Sequence, residues 1–261
     1  MISYSFSLYD LEYFLLILCR VTAFMYLCPF FGTRGVPNRV KIIFSVFTSM
    51  LLYQVLTPVV SAVEYNSVFG YAMIVAKETL TGLILGLGAN MCMSIVNFAG
   101  SIADMETGLS MATLMDPTTN QNTSITGVLY QYGMMLMLIA SGMYRFFMGA
   151  LADSFTLIPV NGAIFHAGRL MNTMIDFMSQ YIFIGFRIVL PIFCVILLLN
   201  AVLGVLAKVA PQMNMFAVGM QLKVIVGLCI LYLSMSLLGN LSEFVFDEMK
   251  DITAAFVEGM R

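Results

Sequence analysis

Residues 79–103 read TLTGLILGLGANMCMSIVNFAGSIA, a stretch without one charged side chain. A helix of about 20 apolar residues crosses the roughly 30 Å hydrocarbon core of a bilayer, so this stretch alone is long enough to span one. Within it, Gly82 and Gly86 form a G-x-x-x-G step with Gly88 close by. Two bare backbone positions on one helix face let a second helix approach closely. The stretch therefore predicts a membrane-type helix packed against protein.

Outward from it, the same length-and-charge test returns five more windows: Leu11 to Phe31, Ile42 to Val60, Ile125 to Phe147, Ile182 to Ala207 and Met215 to Leu238. The composition agrees, with 61% hydrophobic and 10% charged residues, against about 25% charged in an ordinary soluble domain. A balance of 12 Lys+Arg against 14 Asp+Glu gives a net charge of -2, and no basic face of the kind nucleic acid requires. A disordered chain would be polar and highly charged instead. These observations predict an all-α, polytopic membrane protein with about six long apolar helices and lipid among its partners. After the sixth window, Leu241, Val245, Met249, Ile252, Phe256 and Met260 recur at helical spacing among acidic and basic residues, the pattern of an amphipathic helix.

Charge bounds the links. Arg34, Arg39 and Lys41 lie in the link Gly32 to Lys41, and Lys208 in the turn Lys208 to Asn214. The positive-inside rule then puts these two links in the cytoplasm and both ends of the chain outside. Further links fall around Glu64, at Asp104 to Ser124 and at Met148 to Tyr181. Asp10 and Glu12 stand where a cleavable signal carries positive charge, so the first window is expected to stay in the mature protein. Arg20, Arg145, Arg187 and Lys223 interrupt apolar runs, and each would cost at least about 2.5 to 3.5 kcal/mol facing lipid at mid-membrane. They line an ion or substrate path, snorkel near an interface, or pair with an acidic partner in a neighbouring subunit; Glu78, Asp104 and Glu106 form no obvious relay with them.

The chain offers little catalytic chemistry. His166 is the one histidine, in a glycine-containing link, and no phosphate-binding, nucleophile-elbow or zinc-protease motif occurs. Cys19, Cys28, Cys92, Cys194 and Cys229 all sit in apolar runs and read as buried small hydrophobes, not as a disulfide framework or metal site. No catalytic residue, metal or cofactor is expected. Methionine is the more informative residue, with 23 copies that include the group Met105, Met111 and Met115. Unbranched thioethers reshape at low cost, which suits a deformable seal. That group lies in the link whose sequence runs Gly108-Leu109-Ser110-Met111-Ala112-Thr113-Leu114-Met115-Asp116-Pro117 before a polar run to Ser124. Asp116-Pro117 is a turn signal, and a small Met-bearing loop on a membrane bundle is suited to occlude a pore or serves as a simple surface connection.

These residues carry a resemblance to a known family. Arg20 with Pro29, Gly32, Pro37, Arg39, Val40 and Lys41, then Ala99-Gly100, then Gly108-Leu109-Ser110 with Ala112-Thr113 and Asp116-Pro117, then Ser154-Phe155 with Pro159, and Ala210-Pro211-Gln212-Met213-Asn214 with Phe216 and Gly219 follow in family order. Over essentially its whole length the chain resembles the FliR/SctT family of type III export-apparatus subunits. The resemblance implies a non-enzymatic subunit of the flagellar export gate, assembled with FliP-like and FliQ-like subunits and other export-apparatus membrane proteins at the basal body in the bacterial inner membrane. It implies a FliP-like part at 1–180, including a plug-like loop at about 104–124, and a FliQ-like helical hairpin at 181–261 with the amphipathic helix. Unfolded flagellar substrates would pass through the assembled channel. Gly108, Met111, Met115, Asp116 and Pro117 would belong to the plug, and Pro211, Gln212 and Asn214 would close the hairpin turn, a turn whose Pro-Gln-Met-Asn form leans flagellar. A different reading of the same windows is a small secondary transporter using Arg145, Arg187 or Lys223 at a midplane site.

Overall fold

A computed structural model describes residues 8–33, 35–56, 65, 67–112, 114–116, 121–210, 212, 214–236 and 238–261. Eight helices carry the described chain: α1 (Leu8–Leu27), α2 (Asn38–Leu56), α3 (Val68–Thr107), α4 (Ile125–Ala140), α5 (Met143–Leu157), α6 (Ala167–Val209), α7 (Met215–Met235) and α8 (Leu238–Met260). Between α3 and α4 lie a 3-10 turn (Leu109–Ala112) and two short strands, β1 (Leu114–Asp116) and β2 (Gln121–Thr123).

The six windows resolve differently from their expectation. Among the described residues four helices are long and apolar enough to cross a membrane, α2, α3, α6 and most of α7, or five if α4 and α5 count as one span. The first window is α1, whose 20 residues carry Asp10, Glu12 and Arg20, too many charges for a span facing lipid. The fourth breaks where Gly142 takes a left-handed φ of +72° ahead of α5. The link expected from Met148 to Tyr181 is mostly helical, the end of α5 and the start of α6. In the other direction, α3 has 40 residues and α6 has 43. At 1.5 Å per residue each is about 60 Å long, twice a hydrocarbon core, so much of each helix lies outside the hydrocarbon or is sheathed by protein.

Contacts divide the chain into two units. The first comprises Met1–Met91, Gly142–Asp176 and Glu248–Arg261. Its core includes Leu16, Ile17, Phe24, Leu85, Phe147, Leu151, Ile252 and Phe256. Glu78, Gly82 and Gly86 recur every fourth residue along one face of α3, the face toward α1. A Cβ on Gly82 would collide with the Arg20 carbonyl oxygen, and one on Gly86 would lie 2.8 Å from the Phe24 carbonyl oxygen. In α2 the usual amphipathic order is inverted: Lys41, Ser45, Thr48 and Ser49 are buried, whereas Ile43, Phe47 and Val55 are exposed. Ser45 and Ser49 hydroxyls donate back to the Lys41 and Ser45 carbonyls, and the Lys41 ammonium donates to the Gly32 carbonyl at 3.1 Å. Polar groups turned inward and satisfied there, with apolar ones outward, describe a helix surrounded by lipid or apolar protein, not water. The C-terminal end of α8 is fastened by the segment before α6, as the Ile164 and His166 amides donate to the Met260 and Gly259 carbonyls.

The second unit comprises Cys92–Ser141 and Phe177–Asp247. Its core runs through Ile95, Ala99, Met134, Leu138, Ile184, Ile188, Ile192 and Val245. Phe98 packs against Tyr181 and Phe186, over Gly185, where a Cβ would stand 2.6 Å from the Phe98 ring. Cys28 and Cys92 are buried, but Cys194 and Cys229 are exposed on α6 and α7. The reading of all five cysteines as core is therefore wrong for that pair, because the apolar runs that carry them turn one face outward. The helix α6 continues through residue 180 without a break.

Candidate functional site

Between α3 and α4 the second unit departs from helix. α3 extends to Thr107, so Asp104 and Glu106, expected in the link, belong to its last turn. Thr107 turns its hydroxyl back to the Ala103 carbonyl at 2.8 Å, and Gly108 follows at φ +80°, the left-handed position at which helices commonly stop and which glycine occupies without a Cβ penalty. One 3-10 turn closes through Met111 N–H to the Gly108 carbonyl at 3.2 Å. β1 and β2 then pair antiparallel, with Leu114 opposite Thr123, Met115 opposite Asn122 and Asp116 opposite Gln121. The sequence reading foresaw a loop here and no strands.

α4 begins on a strong cap. Ser124 is its N-cap, and the Ser124 hydroxyl accepts from Gly127 N–H at 2.7 Å, as N-cap side chains do for the unpaired amides of a first turn. Asp104, buried, reaches the same turn. Its carboxylate accepts from Thr126 N–H at 3.2 and 3.3 Å and from the Thr126 hydroxyl. One turn earlier on α3, a Cβ on Gly100 would collide with the Gly127 backbone, so α3 and α4 cross in backbone contact at the foot of the loop.

Beside that foot a cleft of about 380 Å³ is lined by Met105, Glu106, Met111, Asn200, Met220 and Lys223, among others. Met105 and Met111 are 71% and 74% exposed, enough to place thioethers at the surface of the protein. The cleft thus combines apolar, deformable side chains with one carboxylate and one ammonium.

The predicted site residues fall out as follows. Gly108 starts the loop and Met111 stands exposed in its 3-10 turn. Met115 and Asp116 lie in β1, whereas Pro117 lies outside the described residues, as does Pro211. Gln212 is exposed in a turn, and Asn214 is the N-cap of α7, its side-chain oxygen accepting from Ala217 N–H at 3.4 Å. Gly82 and Gly86 stand against α1, away from the loop along the chain. Of the four interrupting cations, Arg145 is exposed beside the Tyr144 ring, Arg187 lies over the Phe244 ring at 4.9 Å, and Lys223 lines the cleft. Among the described residues no group of three or more His, Cys, Asp or Glu side chains is arranged to hold a metal ion.

Two polar constellations escaped sequence reading. One is the Asp104 contact with Thr126, whose partners are separated by the whole loop. The other surrounds Arg20, which is fully buried and donates from Nε to Glu78 Oε2 at 2.7 Å and from Nη1 to the Ser154 and Ile158 carbonyls at 3.1 and 2.9 Å. The Phe155 ring lies 4.3 Å from its guanidinium carbon. Glu78 completes the group by accepting Asn161 N–H at 2.9 Å, at a residue held at φ +67°. Arg20 thereby reaches the end of α5, where the Ser154 carbonyl also accepts the Ile158 amide at 2.9 Å and Ile158 is the C-cap.

Residues 11–249 match the family described as bacterial export proteins, family 1. The chain is similar to flagellar biosynthetic protein FliR of Bacillus subtilis, 28% identical over 95% of this chain and 93% of the relative. It is 30% identical to that of Pectobacterium carotovorum, over 90% of this chain and 88% of the relative. The Escherichia coli protein of the same name is 26% identical, over 92% and 90% respectively.

Proposed function

The chain belongs to the bacterial export proteins, family 1, and from that membership we propose that it is a non-enzymatic subunit of the flagellar type III protein export gate. In this reading it assembles with FliP-like and FliQ-like subunits and other export-apparatus membrane proteins in the bacterial inner membrane, within the basal body. Unfolded flagellar proteins are the cargo. Residues 1–180 form the FliP-like part and residues 181–261 the FliQ-like hairpin. The relatives named flagellar biosynthetic protein FliR, aligned over nine-tenths of the chain, carry this reading. Helices about 60 Å long with apolar outer faces support it, because they suit a subunit sheathed by sister subunits as well as by lipid.

The loop from Gly108 to Ser124 helps to close the channel at rest. Its foot is fixed to α3 and α4 by hydrogen bonds, its first turn exposes Met111, and thioether side chains seal irregular gaps without a single required geometry. Pro117 and Pro211 belong to this proposal through the family resemblance alone.

Shortening Gly108 to Asn122 in the assembled complex tests the role of the loop. Co-purification with the FliP-like and FliQ-like subunits should persist while the membrane becomes leaky to ions; an equally tight membrane overturns the closing role. Pro211→Ala should lower the yield of complex before it changes the leak.

A further inference from the structure

The cleft of the second unit brings opposite charges to one space. At about 380 Å³ it is of the size that holds a small ligand or the polar head of a larger one. Glu106, in the last turn of α3, lines it together with Asn200 of α6 and Lys223 of α7. Among the described residues Glu106 and Lys223 make no ion pair with each other, so a carboxylate and an ammonium share the cleft without neutralising one another. A ligand with one charge of each sign, a few bonds apart, meets both.

The walls decide which ligand this is. α6 and most of α7 are long and apolar enough to cross a membrane. Leu197, one turn from Asn200 on the same face of α6, is exposed, as are Leu222 and Ile225 beside Lys223 on α7. Asn200 stands nine residues before the end of α6 and Lys223 eight after the start of α7, which puts both about 12–14 Å from the turn that joins these helices. The polar headgroup layer of a bilayer is about 5–8 Å deep on each side. A cleft at that layer leaves Lys208, Gln212 and Asn214 in water and the apolar faces beyond it in hydrocarbon, whereas charges at mid-membrane are expensive.

We propose that the cleft is a site for the headgroup of a zwitterionic phospholipid, the phosphoethanolamine group of phosphatidylethanolamine. The phosphate accepts from the Lys223 ammonium and the Asn200 amide, the lipid ammonium donates to the Glu106 carboxylate, and the acyl chains run over the apolar outer faces of α6 and α7. Charge-assisted hydrogen bonds of this kind are roughly twice as strong as neutral ones, and the two signs together discriminate. Phosphatidylglycerol brings no cation to Glu106, and phosphatidylcholine brings one that has no N–H to donate. The site is made of this chain alone and stands whether or not the export reading holds.

Photo-crosslinking in nanodiscs tests this. The full chain, with the subunits that co-purify with it, is placed in phosphatidylcholine discs with a trace of phosphatidylethanolamine, phosphatidylglycerol or phosphatidylcholine that carries a photoreactive group at the glycerol end of one acyl chain. Phosphatidylethanolamine should label residues 197–203 and 220–225 roughly tenfold more than either other lipid, the scale of one hydrogen bond to a charged group. Glu106→Gln should bring it down to the phosphatidylcholine level. Equal labelling by phosphatidylethanolamine and phosphatidylcholine, a preference for phosphatidylglycerol, or a preference that survives Glu106→Gln overturns the proposal. Soluble glycerophosphoethanolamine in excess should leave the labelling in place; full displacement assigns the cleft to a free zwitterion and overturns the lipid. Should Glu106→Gln fail to reach the membrane, Lys223→Met and Lys223→Arg carry the test. The first should lose the phosphatidylethanolamine labelling and the second keep it, and equal labelling in the two overturns the site.

Discussion

Arg20 concentrates the polar energetics of the first unit. A buried guanidinium is costly unless its charge is paired; Glu78 supplies the counter-charge from α3 and the Ser154 and Ile158 carbonyls take Nη1, while Nη2 is buried without a hydrogen-bond partner among the described residues. Arg20→Ala leaves the Glu78 carboxylate buried without its counter-charge and should cost about 3–5 kcal/mol. The reading is a lower midpoint in thermal unfolding of the purified complex, or loss of complex altogether. Arg20→Lys keeps the charge but not the fork that reaches two carbonyls and a carboxylate together, so it should fall between. The pairing was legible in principle. Glu78, Gly82 and Gly86 stand every fourth residue in the sequence, so the face of α3 bearing the glycine step also bears the carboxylate. Which cation it meets was not legible, because spacing within one helix says nothing of the register of its neighbour.

At the scale of elements, close approach governs the foot of the loop. Gly100→Ala drives a methyl group into the Gly127 backbone, which cannot rotate away as a side chain can. Overpacking of this kind costs about 1–3 kcal/mol or more. Gly149→Ala in α5 is the control, since among the described residues a Cβ there meets nothing within 4 Å and alanine favours helix by up to about 1 kcal/mol. Thermal unfolding of the complex should therefore separate the two substitutions, with Gly100→Ala markedly lower and Gly149→Ala level or slightly higher. The helices themselves were readable from apolar run length, but their ends were not: α3 and α6 run on through polar residues that look like links. The strands of the loop gave no signal at all. Three residues are too few to show a period of two, and Gln121, Asn122 and Thr123 would suit a bare turn equally well.

For the molecule as a whole, the outward faces of α2, α6 and α7 are apolar, with Ile43, Phe47, Phe183, Leu198, Val205 and Tyr232 all more than half exposed. In water such area drives association, and in lipid it does not. Expressed alone and extracted in mild detergent, the chain should elute as a broad, aggregating species; coexpression with FliP-like and FliQ-like subunits should convert it to one discrete hetero-oligomer in native mass spectrometry. A monodisperse monomer whose yield and stability ignore those subunits would contradict the proposed assembly. Membrane character was plain from composition, because only 10% of residues are charged. The division into units was hidden, since each is assembled from separated stretches of chain.

That division bears on the order of synthesis. The second unit lies wholly between residues 92 and 247, while the first needs Glu248–Arg261 to close over helices made at the outset. Phe256 and Met260 fill its core, and the last carbonyls of α8 are taken by amides from before α6. A ribosome that has released α1 and α2 must add more than a hundred further residues before Glu248–Arg261, the last stretch of the first unit, is made. Until then the earliest-made unit is the unfinished one, and nascent chains stalled anywhere short of residue 248 would present it open to chaperones, proteases and sister subunits alike.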